Sequence, residues 1–291
     1  MPEPEELDCR TRLLAAVNDL PPLAMVLNRL LQMLNDAGCS SGQIAAMIEK
    51  DSVLSGSVIR CVNSAYYGLP HRISSIRQAV TLLGFSVVRN LALAFSMKRI
   101  MAKPQSSASK LYANYSQHAL GCAVMTQFLA HYTHSEDTDA AFAAGLFHDI
   151  GKLLVITTLP GLIPDLIAHW EAGDAPFEES ELAVLGVAHS ELSSAVLEKW
   201  QLPESIQEAA RHHHNPSACP SSPGQSITLA HLVNASDAYV RAYGLEIFSS
   251  PTRPPEPPEE AFEKIGLAKN LPELFDRFRA EFNSIRSVFQ G

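Results

Sequence analysis

Apolar residues recur along nearly the whole chain at a spacing near 3.6, and no sustained alternation of period two appears. That pattern predicts an all-α fold. One stripe, Leu23, Val26, Leu27, Leu30, Leu31 and Leu34, is opened by Leu20-Pro21-Pro22 and stopped near Gly38. Ser40 or Ser41 is placed to cap a helix carrying Ile44, Met47 and Ile48. Asp51-Ser52 opens the next, which closes at Tyr66-Tyr67-Gly68-Leu69-Pro70, and segments 75–83 and 86–101 read as a pair hinged at Gly84. A second block carries helical periodicity over 111–132, 138–158, 162–172, 178–186, 190–200, 204–213 and 225–243. The expected organisation is an N-terminal helical lobe (8–102), a second helical lobe (108–245), a Pro-rich link (251–260) and a C-terminal helical segment (261–291).

The boundaries come from residues that cannot build a core. Segment 103–109 offers only Lys, Pro, Gln, Ser and Ala, and the run Pro251-Thr-Arg-Pro-Pro-Glu-Pro-Pro-Glu-Glu260 reads as extended and acidic. Beyond it Leu271, Leu274, Phe275, Phe278, Phe282, Ile285 and Phe289 form an aromatic stripe suited to docking on the body or on a second chain, docking on the body being the commoner outcome. The 291 residues are 46% hydrophobic and 18% charged, which excludes global disorder. A net charge of −9 argues against general nucleic-acid binding. The most apolar stretch, 79–101, is interrupted by Arg89, Asn90, Lys98 and Arg99, so no membrane association is expected. The acidic N-terminus and five scattered cysteines without a C-x-x-C point to a cytoplasmic protein rather than a secreted one.

Eleven histidines are the most informative excess. The sharpest element is Gly145-Leu-Phe-His-Asp-Ile-Gly-Lys152, where His148 and Asp149 fall inside a predicted apolar helix about 100° apart. They can meet one ion or bracket two, and imidazole with carboxylate suits zinc, iron, manganese or nickel better than calcium. Lys152 lies one turn after His148, where an ammonium can steady a phosphate. Spacing alone leaves a second reading open, a satisfied His–Asp hydrogen bond in the core, since a buried charge needs some partner.

The order of these residues resembles the H…HD…D pattern of the HD superfamily of metal-dependent phosphohydrolases. The matching positions are His118, His148-Asp149 and Asp237, and the resemblance implies that these four hold one metal. His189, Leu202-Pro203 and His213-His214 follow the order in which the cyclic di-GMP-cleaving branch adds histidines for a second metal, with the HD aspartate bridging. The E-x-x-x-G-x-G-Y-P segment of that branch is missing; Asn215-Pro216-Ser217 stands there instead. The N-terminal half, with Leu20-Pro21-Pro22-Leu23, Ile48-Glu-Lys-Asp51-Ser-Val-Leu54, Arg60-Cys-Val-Asn63-Ser64-Ala65-Tyr66-Tyr67 and Ile76-Arg-Gln-Ala79-Val-Thr-Leu-Leu83-Gly84, strongly resembles the HDOD domain, the HD-related output domain of bacterial signalling proteins. The resemblance spans roughly 8–245. It implies an HD-like helical bundle behind an N-terminal HDOD lobe, attachment to response-regulator receivers or other sensory modules, and usually a degraded metal site. Here the HD core is intact.

Two functions follow. The first is a signalling output or scaffold protein, with a sensor or receiver protein as partner. The second is a phosphohydrolase with one or two divalent metal ions on His118, His148, Asp149, His189, His213 and Asp237, a nucleotide or cyclic dinucleotide as ligand, and Asp149 and Lys152 in catalysis. Since three consecutive histidines cannot share one helix face, one or two of His212, His213 and His214 are expected to bind and the rest to face solvent. Asn63, Ser64 and the tyrosines after them are read as structural, Arg60, Arg72, Arg77 and Arg89 as solvated, and the cysteines, Cys122 included, as small core fillers.

Overall fold

The structure is a computed structural model and describes residues 4–20, 25–32, 41–100, 109–135, 138–221, 226–267 and 271–290. Leu34, Gly38 and the boundary segment 103–108 lie outside the described residues. Among those described there is helix but no strand. The first six helices are α1 (Pro4–Asp19), α2 (Met25–Gln32), α3 (Ser41–Glu49), α4 (Ser52–Val62), α5 (Ile76–Leu83) and α6 (Phe85–Ile100). Then come α7 (Ser109–Tyr132), α8 (Thr138–Phe147), α9 (Ile150–Thr158), α10 (Ile163–Ala172), α11 (Phe177–Leu185), α12 (His189–Lys199), α13 (Glu204–His212) and α14 (Leu229–Ala242). Two more, α15 (Glu259–Lys264) and α16 (Leu271–Gln290), complete the chain.

Helices α2 to α6 pack on one another, while α7, α8, α9, α12, α13 and α14 wrap a common centre. Asp51 caps α4, its carboxylate accepting from the Leu54 N–H at 3.0 Å, and Ser75 caps α5 in the same manner. Asn63 ties the end of α4 to the loop before α5: its amide donates to the Ile59 and Ile73 carbonyls and its oxygen accepts from the Ile73 N–H, each at 2.9 Å. Helix α1 packs on α9, α11 and α12 rather than on α2–α6. Leu13 and Val17 are buried there, and Arg10 bonds the Gly186 carbonyl and Glu191, each at 2.7 Å. The aromatic stripe of α16 turns inward against α7, α4 and α6, burying Leu274, Phe278, Phe282 and Ile285. Arg89 is 2% exposed and binds the Asp139 carboxylate and carbonyl, so it ties α6 to α8 instead of being solvated.

The predicted single helix over 138–158 breaks at His148-Asp149. The break lies inside the core, with 89% of the apolar window of 138–158 buried, and it divides that segment into two short helices. Two glycines beside the break set how closely its neighbours approach. A side chain at Gly145 would overlap the Cys122 carbonyl of α7 and reach 2.6 Å from Thr126 Oγ1; one at Gly151 would overlap the His189 carbonyl and lie 2.9 Å from the Ser193 nitrogen of α12. The Gly151 N–H also donates to Ser193 Oγ at 2.9 Å.

Gly145→Ala and Gly151→Ala should therefore each push a helix away from the break. The expected cost is roughly 1–3 kcal/mol, the usual range for overpacking. Thermal denaturation should show a Tm lower by several degrees, with metal content falling as well, whereas Gly161→Ala, where a Cβ meets nothing, should change neither.

Candidate metal centre

Five structural units each send one or two polar side chains to the same buried point. His118 comes from α7, His148 and Asp149 from the break before α9, His189 from the first turn of α12, His213 and His214 from the end of α13, and Asp237 from α14. His118, His148, Asp149, His189 and His213 are at most 1% exposed and Asp237 4%. Burial this complete fits only groups that hold each other or an ion.

Four of the five rings are held in one orientation by Nδ1. The His118 Nδ1–H donates to the Leu245 carbonyl at 2.8 Å, His148 to Gly145 at 2.9 Å and His213 to Ala210 at 2.7 Å. His189 donates instead to the carboxylate of Glu181 at 2.5 Å, which also accepts the His189 backbone N–H at 2.9 Å. These bonds turn each of the four Nε2 atoms inward, the arrangement of metal-ligating histidines.

The inward atoms form two sets that share Asp149. In the first, His118 Nε2 lies 3.4 Å from His148 Nε2, 3.4 Å from Asp149 Oδ2 and 3.3 Å from Asp237 Oδ1. In the second, His189 Nε2 lies 3.4 Å from His213 Nε2, 3.0 Å from His214 Nε2 and 3.2 Å from Asp149 Oδ1. Donors bound to one ion at about 2.1 Å sit about 3.0–3.4 Å apart in octahedral or tetrahedral arrangements. Asp149 Oδ1 and Asp237 Oδ1 are buried with no hydrogen-bond partner, and the residues present thus fit the ligands of a metal ion.

The break explains why Asp149 is free for this. It precedes α9 in the capping position, yet its carboxylate makes no bond to the helix N-terminus. It receives the Lys152 ammonium at 2.8 Å instead. Arg241 stands 3.5 Å from Asp237 Oδ2 in the same relation. Burial alone would raise both carboxyls, but Lys152 with His148 and His189 holds Asp149 well below the usual range, and Arg241 with His118 does the same for Asp237. Burial pushes His148, His213 and His214 down, which leaves their lone pairs available. Against the same burial, Glu181 raises His189 to about 9, while Cys122, Asp149 and Asp237 hold His118 well above its ordinary value. Cys122 Sγ lies 3.5 Å from His118 Nε2, and burial raises its thiol, keeping it protonated beside the set.

All six residues expected to hold metal converge, and Lys152 adjoins them. Of the three consecutive histidines two turn inward, His213 and His214, because α13 stops at His212 and the chain turns, while His212 lies 3.1 Å from Glu208. One participant was not anticipated. Glu181 sits on α11, eight positions before His189, where sequence spacing carries no signal for a carboxylate behind a histidine. The centre opens into a cleft of about 470 Å³ with His118, Lys152, His189, His214 and Asp237 in its lining. Trp170, Phe177 and Phe248 line its side. The Pro-rich segment passes along the mouth, Arg253 donating to the carbonyls of Gly173, Asp174 and Ala175 and lying over the Trp170 ring.

Glu181→Gln should weaken metal binding at the His189 set about 10–100-fold, the usual effect of removing a carboxylate behind a ligating histidine. A metal has to displace the protons that His118 and His189 carry near neutral pH. Loading metal-free protein at pH 7.5 should therefore release protons into a weakly buffered solution, and apparent affinity should fall as pH drops below about 9. Calorimetry in buffers of different ionisation enthalpy measures both.

The HDOD domain family matches residues 20–216 of this chain. An uncharacterised protein of Treponema pallidum (strain Nichols) is 25% identical over 223 residues, covering 74% of this chain and 42% of that protein. The uncharacterised protein YuxH of Bacillus subtilis (strain 168) is 29% identical over 112 residues, covering 38% of this chain and 26% of its own length. The chain thus spans less than half of either relative. Among solved structures, an HDOD domain protein of unknown function from Geobacter sulfurreducens superposes with a TM-score of 0.75 at 20% identity, covering 98% of both chains. A Shewanella amazonensis SB2B protein provisionally named a phosphohydrolase gives 0.72 at 20% identity, covering 96% of this chain and 98% of its own. These likenesses carry the helical bundle, and with the match over most of the sequence they establish that the chain belongs to the HDOD domain family.

Proposed function

We propose that this HDOD protein is a metal-dependent phosphohydrolase acting on a nucleotide or cyclic dinucleotide, within a signalling role. The observation that carries the reading is the pair of donor sets sharing Asp149 at the floor of an open cleft. His118, His148, Asp149 and Asp237 would hold one divalent ion, and Asp149, His189, His213 and His214 the other. Ions bound there supply a water acidic enough to attack at neutral pH and a Lewis acid for the phosphoryl oxygen.

The chain's own groups supply the rest. Asp149 orients both donor sets. Lys152, in the cleft lining, keeps that carboxylate ionised and presents ammonium hydrogens to a phosphate oxygen as charge develops on it. Arg241 does the same beside Asp237. Trp170, Phe177 and Phe248 offer apolar area for the organic part of the ligand and keep water from the side of the cleft.

The scaffold reading, with an ion serving only structure and a sensor or receiver protein as the partner, is favoured by one feature. After His214 the chain enters a 3₁₀ turn over Pro216–Ala218 where the cyclic di-GMP-cleaving branch has its glycine- and tyrosine-bearing segment.

Elemental analysis of tag-free protein, purified without chelator or nickel resin, beside phosphodiester and nucleotide turnover decides between them. The wild type should carry close to two ions of iron, manganese, zinc or nickel per chain. Asp149→Ala should lose both ions and all turnover. Lys152→Ala should keep its metal and lose about 10²–10³-fold in kcat, as removal of one charge-stabilising donor usually does. Metal-loaded protein that turns over no phosphoester, but binds a signalling protein through its N-terminal lobe, would leave the scaffold reading standing.

A further inference from the structure

A second cavity, of about 480 Å³, lies where the turn after α4, α6, α7, α8 and α16 meet. Its walls are largely aromatic and aliphatic, with Tyr66, Tyr67, Phe128, Tyr132 and Phe142 the main surfaces. None of the metal-centre residues lines it. Cavities of this size and lining, with a few placed polar groups, are where small ligands are held, and they favour junctions between packed units.

Its charged groups come from α16. Glu281 accepts from the Tyr66 hydroxyl at 2.7 Å. Arg277, one turn earlier, lies over the Phe128 and Tyr132 rings and donates to the Tyr132 hydroxyl at 3.1 Å. Residues four apart share a helix face, so a carboxylate and a guanidinium with spare hydrogen-bonding capacity look into one aromatic chamber. The Tyr67 hydroxyl is buried there with no hydrogen-bond partner. Dry core packing would leave that group unsatisfied at a cost, whereas a bound polar molecule would not.

The chemistry narrows the occupant. A plain hydrocarbon would cover Glu281 without pairing it. An anion would meet the same carboxylate, and a cation would meet Arg277. A flat neutral heterocycle with N–H donors on one edge and oxygen or nitrogen acceptors on another answers both and stacks on the rings. Guanine has that pattern, with its N2 amino group as donor and O6 and N7 as acceptors. We propose that the cavity between α16 and the α6–α8 face is a binding site for a guanine-type base, whose N–H edge pairs with Glu281 and whose O6/N7 edge pairs with Arg277.

The test uses guanosine, which lacks the phosphate that the metal centre would hold, and variants of the second cavity alone. Isothermal titration of the full metal-loaded chain should show saturable 1:1 binding. Glu281→Gln and the cavity-filling Val87→Trp should each weaken it at least about tenfold, the scale of one hydrogen bond to a charged group. Tyr67→Phe, which removes one hydroxyl and no volume, should weaken it measurably with unchanged Tm and metal content, which guards against variants that merely unfold. Adenosine, with an amino group in place of O6, should bind at least about tenfold more weakly. No guanosine binding at about 1 mM, a free energy of roughly −4 kcal/mol at that midpoint, would overturn the proposal. So would binding unaffected by both Glu281→Gln and Val87→Trp, or equal binding of guanosine and adenosine. None of these outcomes depends on turnover at the metal centre.

Discussion

The carboxylate of Asp149 is the point on which the arrangement of the helical core turns. It is fully buried, and each of its oxygens faces a different group of imidazoles, while Lys152 closes the approach from its own helix. A lone carboxylate in that position would be neutralised by protonation at large cost. It stays ionised because Lys152 of α9, His148 beside it, His189 of α12 and His118 of α7 stand within reach. The helix break at His148-Asp149 makes this geometry available. An unbroken helix would aim the two side chains about 100° apart and spend the Asp149 carboxylate on its own surface.

Close approach and fixed ring orientations do the remaining work of positioning. Gly145 lets α8 press on α7 so that His148 meets His118, and Gly151 lets α9 press on α12 so that Asp149 meets His189. Three histidines are anchored through backbone carbonyls, which cannot be titrated away, and the fourth through Glu181. His189 is thus the one of these four held from behind by a side chain, and the second donor set is the one a single substitution behind the ligands can tune. An ion bound at each set adds to stability in proportion to the logarithm of its concentration over its dissociation constant, so the folded state and the loaded state reinforce each other.

Much of this was legible in the residues because helices announce themselves by period and because metal-ligating side chains are few in kind. His118, His148, Asp149, Asp237, His189 and His213 could be picked out because their order resembles the HD pattern. What was hidden depends on how the chain bends or on contacts between distant helices. Which of His212, His213 and His214 turn inward depends on where α13 ends, at His212, and the helical period does not mark that point. Glu181 and the two glycines act through neighbours that no spacing in sequence reveals. Arg89 read as solvated because an arginine on an apolar helix is normally a surface group, and only the packing of α8 on α6 brings Asp139 to it. Helix α1 precedes the N-terminal group in sequence yet packs with the histidine-bearing helices, because Leu13 and Val17 find their apolar partners there.

Membership of the HDOD family does not by itself decide between catalysis and scaffolding, since function resides in the site and not in the bundle. The physical cost of the site is the more telling quantity. The imidazoles of His118, His148, His189, His213 and His214, facing one another at 3.0–3.4 Å beside two buried carboxylate oxygens without hydrogen-bond partners, destabilise a metal-free core. Replacing such a cluster by apolar side chains of similar volume is commonly neutral or stabilising, by up to about 4 kcal/mol. A bundle that needed only to fold and present a surface would be more stable without these residues. Their convergence, with four rings held by Nδ1 to face the same point and an open cleft beside it, is what a metal site would require.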